Sequence, residues 1–324
     1  MVLKYLKSRI FPISTEILPK SVENYQNKSA QFFIIKSSNF TEEFMMTKTW
    51  FITGTSTDFR KELARLLAQK DDVNLVATAH KPEQLSYLDE FDHGQILKLK
   101  LDVTNQEEIQ KAVKATLDAF GSIDVLVNNA GIGYFGILEE SNRETVQYMF
   151  DVNVWGLVDM TRAVLPTMRK QNEGVIINFS SIGGLYSFPT LSFYHGTKYA
   201  VEGLSESLAK EVAHKNIQVL IIEPSGFRTD WAGRSSDKAL PSLEDYQQFT
   251  DFITTNENGA GHEAGDPIKA AEIIYDQVTN NPQLPLRLPL RAFATDTAID
   301  KYSKQLAEFK ELHDLSASAD IPEN

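Results

Sequence analysis

From Thr49 onward the chain alternates short, uniformly apolar runs with longer stretches whose apolar residues recur at helical spacing. The apolar runs predict strands at 50–53, 73–78, 96–101, 123–127, 175–179 and 218–222. Helical spacing predicts helices at 59–69, 82–91, 106–120, 143–170 and 267–278. One more helix carries Tyr194 and continues through Val201, Leu204, Leu208 and Val212. Strands apolar on both faces, interleaved with helices, belong in a parallel sheet covered on both sides. The expected fold class is therefore α/β, a doubly wound parallel sheet of about seven strands.

Two stretches depart from the alternation. Residues 232–265 are rich in Ser, Asp, Gly and Thr, which suggests a loop-rich insertion over the carboxyl edge of the sheet, where ligands bind in such folds. The predicted helix 143–170 is apolar on several faces, through Val146, Met149, Phe150, Val154, Leu157, Val158, Met160, Val164, Leu165 and Met168. One face must meet the sheet. The other meets either the insertion or a second subunit, and a homodimer or homotetramer is the preferred reading.

Residues 1–44 stand outside the pattern. Lys4, Lys7 and Arg9 interrupt the apolar residues there, so the stretch lacks the core of a secretory signal. It is expected to be a disordered extension or an over-called start. The single domain then spans 45–324, from the Met45-Met46 pair. No apolar run reaches the length of a transmembrane helix. A net charge of −12 leaves no basic footprint for nucleic acid and no attraction to an anionic membrane. The chain has no cysteine, which excludes disulfides, thiolate metal sites and cysteine nucleophiles and fits a cytoplasmic location.

Candidate chemistry sits at Tyr194 and Lys198, four residues apart on the predicted helix and so on one face of it. Ser181 lies thirteen residues before Tyr194. A phenol titrates near about 10, far from neutrality. A neighbouring ammonium favours the phenolate, and a nearby hydroxyl can hold a substrate oxygen. That outlines a proton-transfer site for alcohol and carbonyl chemistry, although the Tyr/Lys spacing alone also suits a solvated helix face.

The company of these residues is more specific. Thr53-Gly54-Thr55-Ser56-Thr57-Asp58-Phe59-Arg60 follows the first strand, Asp102-Val103 the third and Asn128-Asn129-Ala130-Gly131 the fourth. Asn153 lies within the long helix, Ser180-Ser181 ends the fifth strand, and Pro224-Ser225-Gly226-Phe227-Arg228-Thr229 ends the sixth. In this order and spacing the chain resembles the short-chain dehydrogenase/reductase family, of the single-domain type, over residues 47–290. The resemblance implies a Rossmann-type fold and an oxidoreductase. It makes Tyr194 the general acid/base, Lys198 the partner that lowers the tyrosine pKa and holds the nicotinamide ribose, Ser181 the holder of the substrate oxygen, and Asn153 the residue that positions a water leading to Lys198. It assigns cofactor contacts to Gly54, Thr55, Ser56, Thr57, Asp58, Phe59, His80, Lys81, Asp102, Val103, Asn129, Ala130, Gly131, Tyr194, Lys198, Pro224, Phe227 and Thr229. The substrate is expected to be a hydrophobic carbonyl or alcohol, held by Leu185, Tyr186, Phe188, Phe227, Trp231 and the insertion.

The glycine loop departs from the family pattern. Of three expected glycines only Gly54 remains, with Asp58 and Arg60 at the other two positions. Asp58 brings negative charge toward a pyrophosphate, at up to about 4 kcal/mol for a like pair near 4 Å. Arg60 or Lys61 offsets it by pairing with Asp58 or the phosphates. Weakened cofactor affinity is expected, and the alternative reading is a non-catalytic relative that binds a nucleotide or a partner. Strand two ends in Thr78-Ala79-His80-Lys81, without the carboxylate that holds a ribose 2′-hydroxyl in NAD-preferring sites. His80 and Lys81 suit a 2′-phosphate, which favours NADP, with NAD possible.

Overall fold

The computed structural model describes residues 47–321, so the expectation for residues 1–44 lies outside the described residues. Seven strands form one parallel sheet in the order β3-β2-β1-β4-β6-β7-β9. They are β1 (Lys48–Ile52), β2 (Val73–Ala79), β3 (Ile96–Lys100), β4 (Val125–Asn128), β6 (Gly174–Phe179), β7 (Ile217–Pro224) and β9 (Arg287–Leu290). The order reverses between β1 and β4, which opens a crevice at their carboxyl ends. A short β5 (Gly133–Phe135) pairs in parallel with β8 (Ser236–Lys238) beside that crevice.

Strand alternation builds a core on each face. Trp50, Ile52, Leu75 and Leu220 point to one side, where they meet Leu63 and Leu67 of α1 (Asp58–Ala68) and Ile274 of α7 (Pro267–Asn280). Phe51, Val76, Leu126 and Val219 point to the other. There they meet Ile109 of α2 (Gln106–Phe120) and Met160 and Val164 of α4 (Gly156–Gln171). The expected doubly wound sheet is what forms.

Four local features differ from expectation. The predicted helix 82–91 is a 3-10 helix, Pro82–Phe91. The predicted helix 143–170 is α3 (Arg143–Phe150) joined to α4 by one π-helical stretch, Asp151–Trp155. The apolar spacing continues across that stretch, so periodicity does not reveal it. Beyond residue 278, β9 and α8 (Ala292–Glu311) extend the domain. Pro289 is tolerated in β9 because that strand is the sheet edge. Residues 232–265, expected to be loop-rich, hold β8, a 3-10 helix at Glu244–Phe249 and α6 (Thr250–Asn258).

Candidate active site

At the carboxyl ends of β1, β4, β6 and β7 lies a cavity of about 390 Å³. Ser181, Tyr194 and Lys198 all face it. Ser181 caps the short 3-10 helix Ile182–Gly184, its oxygen accepting from the Gly183 N–H at 3.0 Å. Tyr194 and Lys198 sit on the first turns of α5 (Ser192–Val212), which packs along β7. Lys198 Nζ donates to the Phe179 carbonyl at 2.8 Å and stands 5.7 Å from the centre of the Tyr194 ring.

Enclosure governs the electrostatics of both groups. Burial pushes the Tyr194 phenol up to about 12, and the Ser181 hydroxyl and the Arg60 charge pull it back only in part. Burial also brings the Lys198 ammonium down to about 7, with Arg60 acting in the same sense and Glu202 opposing it. Both groups are enclosed, and the enclosure that disfavours the phenolate also disfavours the ammonium.

Asn153 is oriented by the π stretch, a common local cause of functional re-aiming. Its Oδ1 accepts from the Ile132 N–H at 2.8 Å, and its Nδ2 donates to the Ile132 carbonyl at 2.9 Å and to Thr197 Oγ1 at 3.1 Å. The side chain thus ties the loop after β4 to α5, and its amide is committed to protein partners. His195 makes a second tie that sequence reasoning missed. The Phe188 N–H donates to Nε2 at 2.8 Å, which leaves Nδ1 as the donor to the Gly183 carbonyl, also at 2.8 Å. Burial lowers the His195 pKa, which favours this neutral form.

Of the residues expected to meet a cofactor, those that follow β1, β4 and β7 lie at the switch-point crevice. Gly54 has φ 68°, a left-handed turn that glycine adopts without strain. The Thr55 N–H donates to the Thr78 carbonyl at 2.7 Å, and Ser56 continues the loop. Thr57 precedes α1 without a side-chain capping bond to it. The Asp58 side chain lies outside the described part. Phe59 packs edge-on against Phe179 and Phe227, with ring centres 5.4 and 5.3 Å away. Asn129 staples β4 to β1 through Nδ2 to the Thr53 carbonyl, and the Ala130 N–H donates to Thr53 Oγ1. Gly131, Pro224, Phe227 and Thr229 line the cavity. A Cβ on Gly131 would lie 3.3 Å from Asn153 Oδ1 and 3.8 Å from Lys198 Nζ.

At the far end, His80 and Lys81 are exposed, and His80 Nδ1 lies 4.0 Å from Asp102 Oδ2. Burial works against the ionised form of Asp102, but hydrogen bonds from the Thr104 N–H and hydroxyl outweigh it and lower its pKa. The Val103 side chain is in the core, against Gly156.

Arg60 was expected to face phosphates or Asp58, and the structure adds a contact. Its Nη2 donates to the Gly131 carbonyl at 2.9 Å, and its Nη1 lies 3.4 Å from where a Gly54 Cβ would be. The guanidinium therefore spans the two loops that border the crevice. Lys61 turns away, its Nζ 4.8 Å above the Tyr87 ring. Of the residues expected to hold a substrate, Phe188 and Trp231 line the cavity, joined by Ala232, Phe252 and Asn256. The Tyr194 and Trp231 rings are 4.8 Å apart. Leu185 and Tyr186 do not line it. They pack toward Ala294 and Ala298 of α8, because the turn after Ser181 points them to the other side.

Known proteins resemble this chain in sequence and fold. Residues 48–240 match the family model for short chain dehydrogenase. The oxidoreductase calM of Penicillium decumbens is 38% identical over 284 residues, covering 83% of this chain and 92% of that protein. A short-chain dehydrogenase structure from Streptomyces avermitilis superposes with a TM-score of 0.77 at 34% identity, covering 84% of this chain and 100% of that one. The structure of ElxO with NADP bound gives a TM-score of 0.63 at 27% identity, covering 76% of this chain and 97% of that one. The doubly wound sheet, the Tyr194/Lys198/Ser181 cavity and these likenesses agree, and this chain belongs to the short-chain dehydrogenase family.

Proposed function

We propose that this chain is an oxidoreductase that uses NADP(H) to interconvert a carbonyl group and an alcohol on a hydrophobic small molecule. The observation that carries this reading is the convergence of Ser181, Tyr194 and Lys198 on one cavity whose other wall is aromatic, through Phe188, Trp231 and Phe252. The residues present suit the dinucleotide. Gly54 makes the left-handed turn, the start of α1 offers backbone N–H groups to an anion, and the loops of Gly54 and Gly131 border the switch-point crevice. Gly54, Thr55, Ser56, Thr57, Phe59, Asn129, Ala130, Gly131, Pro224, Phe227 and Thr229 would hold it, with His80, Lys81, Asp102 and Val103 at the adenosine end. When bound, the cofactor supplies or accepts the hydride.

The chain's own residues manage the oxygen. The Ser181 hydroxyl and the Tyr194 hydroxyl donate to the substrate oxygen where negative charge grows during reduction. Tyr194 then gives up its proton, as the general acid, and takes it back in the oxidative direction. The charge on Lys198 favours the phenolate left behind. Asn153 keeps α5 and the Gly131 loop in register.

The absence of a carboxylate at the end of β2 supports NADP over NAD, and tighter binding of NAD in a fluorescence titration would reverse that choice. Exposed Tyr148 and Trp155, on the same helical stretch, support a homodimer or homotetramer, to be measured by light scattering. The lack of cysteine supports a cytoplasmic location. Replacing Tyr194 by Phe is expected to lower NADPH consumption over a carbonyl panel by roughly 10²–10⁴-fold. A second reading, a non-catalytic relative, draws on the Arg60 guanidinium spanning the Gly54 and Gly131 loops. Wild type no more active than Tyr194→Phe at saturating cofactor would decide for it.

A further inference from the structure

Lys198 is enclosed, and Arg60 adds a like charge beside it, so its ammonium needs a counter-charge. One turn further along α5, Glu202 is also buried, 6% exposed. Its Oε2 accepts from Arg287 Nε on β9 at 3.2 Å. Glu223, on β7 and 1% exposed, brings Oε1 within 3.4 Å of the same nitrogen. Arg287 Nη2 donates to Glu206 Oε2 at 3.0 Å, toward the surface. Ser180 Oγ and Glu202 Oε1 both lie beside Gly184, 2.4 and 3.1 Å from where a Cβ on that glycine would be, and neither has a hydrogen-bond partner.

One guanidinium thus faces three carboxyl groups, two of them shut away from water. Two buried carboxylates on a single cation leave an excess negative charge, and a proton on one of them removes it. Glu223 is the group that takes it. Both of its oxygens lack a hydrogen-bond partner, and burial together with Glu202 pushes it up to about 8. Glu202 is the member that accepts from Arg287: burial raises its carboxyl as well, and Ser180 from the loop after β6, Arg287 from β9 and Lys198 from α5 oppose that rise, with Glu206 on the same guanidinium, Glu223 facing from β7 and Tyr302 from α8.

We propose that Glu202 is a positioning residue for the reaction, its buried carboxylate serving as the counter-charge of the Lys198 ammonium. The inference rests on the role given to Lys198 above. It places a carboxyl-bearing layer behind the Tyr194/Lys198 pair, reaching from Ser180 at the cavity to Arg287 on the sheet edge.

Two readouts test it on the full chain. The first is acylation of Lys198 by a small amine reagent in cofactor-free protein between pH 6 and 9, quantified by peptide mass mapping. In Glu202→Gln the half-modification pH is expected to fall by about one unit, because the neutral amine appears earlier. Glu223→Gln keeps a neutral hydrogen-bonding group and is expected to leave that pH unmoved. The second is the pH profile of kcat. Its alkaline limb is expected to shift down by the same amount in Glu202→Gln, an about tenfold loss at pH 8 that recovers at pH 6. A Lys198 titration equal to wild type in Glu202→Gln overturns the proposal, whatever happens to Tm. If that variant does not fold, Glu202→Asp serves, with a smaller downward shift expected and no shift overturning it. An inactive wild type defeats the proposed function but leaves the acylation test of Glu202 intact.

Discussion

Arg60 stands where the family carries a glycine, and it reaches the Gly131 carbonyl rather than leaving the crevice open. Changing Asp58 and Arg60 together to glycine is expected to tighten NADP binding by about tenfold, or about 1.4 kcal/mol, in a cofactor fluorescence titration. An unchanged Kd would remove these two residues as the cause of weakened affinity. Arg60→Gly alone is expected to raise the pH at which Lys198 becomes reactive, since its like charge is one of the causes holding that pKa down. The identities of Ser181, Tyr194 and Lys198 were legible in the sequence because a phenol, an amine and a hydroxyl at those spacings sit among other family segments. The proton affinities were not. They depend on enclosure by Phe188, Trp231 and the turns after β6, which only the folded chain brings together.

The π stretch shows what an element contributes beyond its period. It interrupts an otherwise regular helix and sets Asn153 against the Ile132 backbone. Asn153→Ala leaves that buried N–H and carbonyl without their partner, so a loss of roughly 1–3 kcal/mol for the orphaned groups is expected in urea denaturation. Asn153→Asp should retain the bond from the Ile132 N–H and lose the two bonds that Nδ2 donates. Stability equal to wild type in Asn153→Ala would mean that the loop after β4 is held elsewhere. The repeating strands and helices were readable because apolar residues at periods of two and 3.6 mark which face is buried. The π stretch was hidden because Val152, Val154 and Leu157 keep the apolar spacing through it. β9 was hidden by Pro289, a residue that argues against a strand until its place at the sheet edge is known.

Across the whole molecule, two buried groups pull the pH dependence of stability in opposite directions. Glu223 rises from 4.5 to about 8 on folding, so between these values the folded chain holds a proton that the unfolded chain has lost. Stability therefore falls as pH rises through that window. Lys198 drops from 10.5 to about 7, so above neutrality the unfolded chain holds the extra proton and stability recovers. Tm should decline from about pH 5 to neutrality, level off near pH 7–8 and rise toward pH 10, while Glu223→Gln should lack the decline. Scanning calorimetry across that range checks both, and an identical decline in the variant would assign it to another group. The segment between residues 232 and 265 is fastened at both roots. Ser236–Lys238 pairs with Gly133–Phe135 at one root, and Phe227 bridges to Gly265 at the other. Gly133 and Gly265 close those roots so tightly that a Cβ would come within 2.0 Å of Ser236 Oγ or 2.6 Å of the Phe227 ring. A span clamped in this way behaves as a cassette. Residues 239–264 can be exchanged for those of a relative, clasps retained, and the chimaera should inherit the donor's choice of substrate on an unaltered catalytic floor.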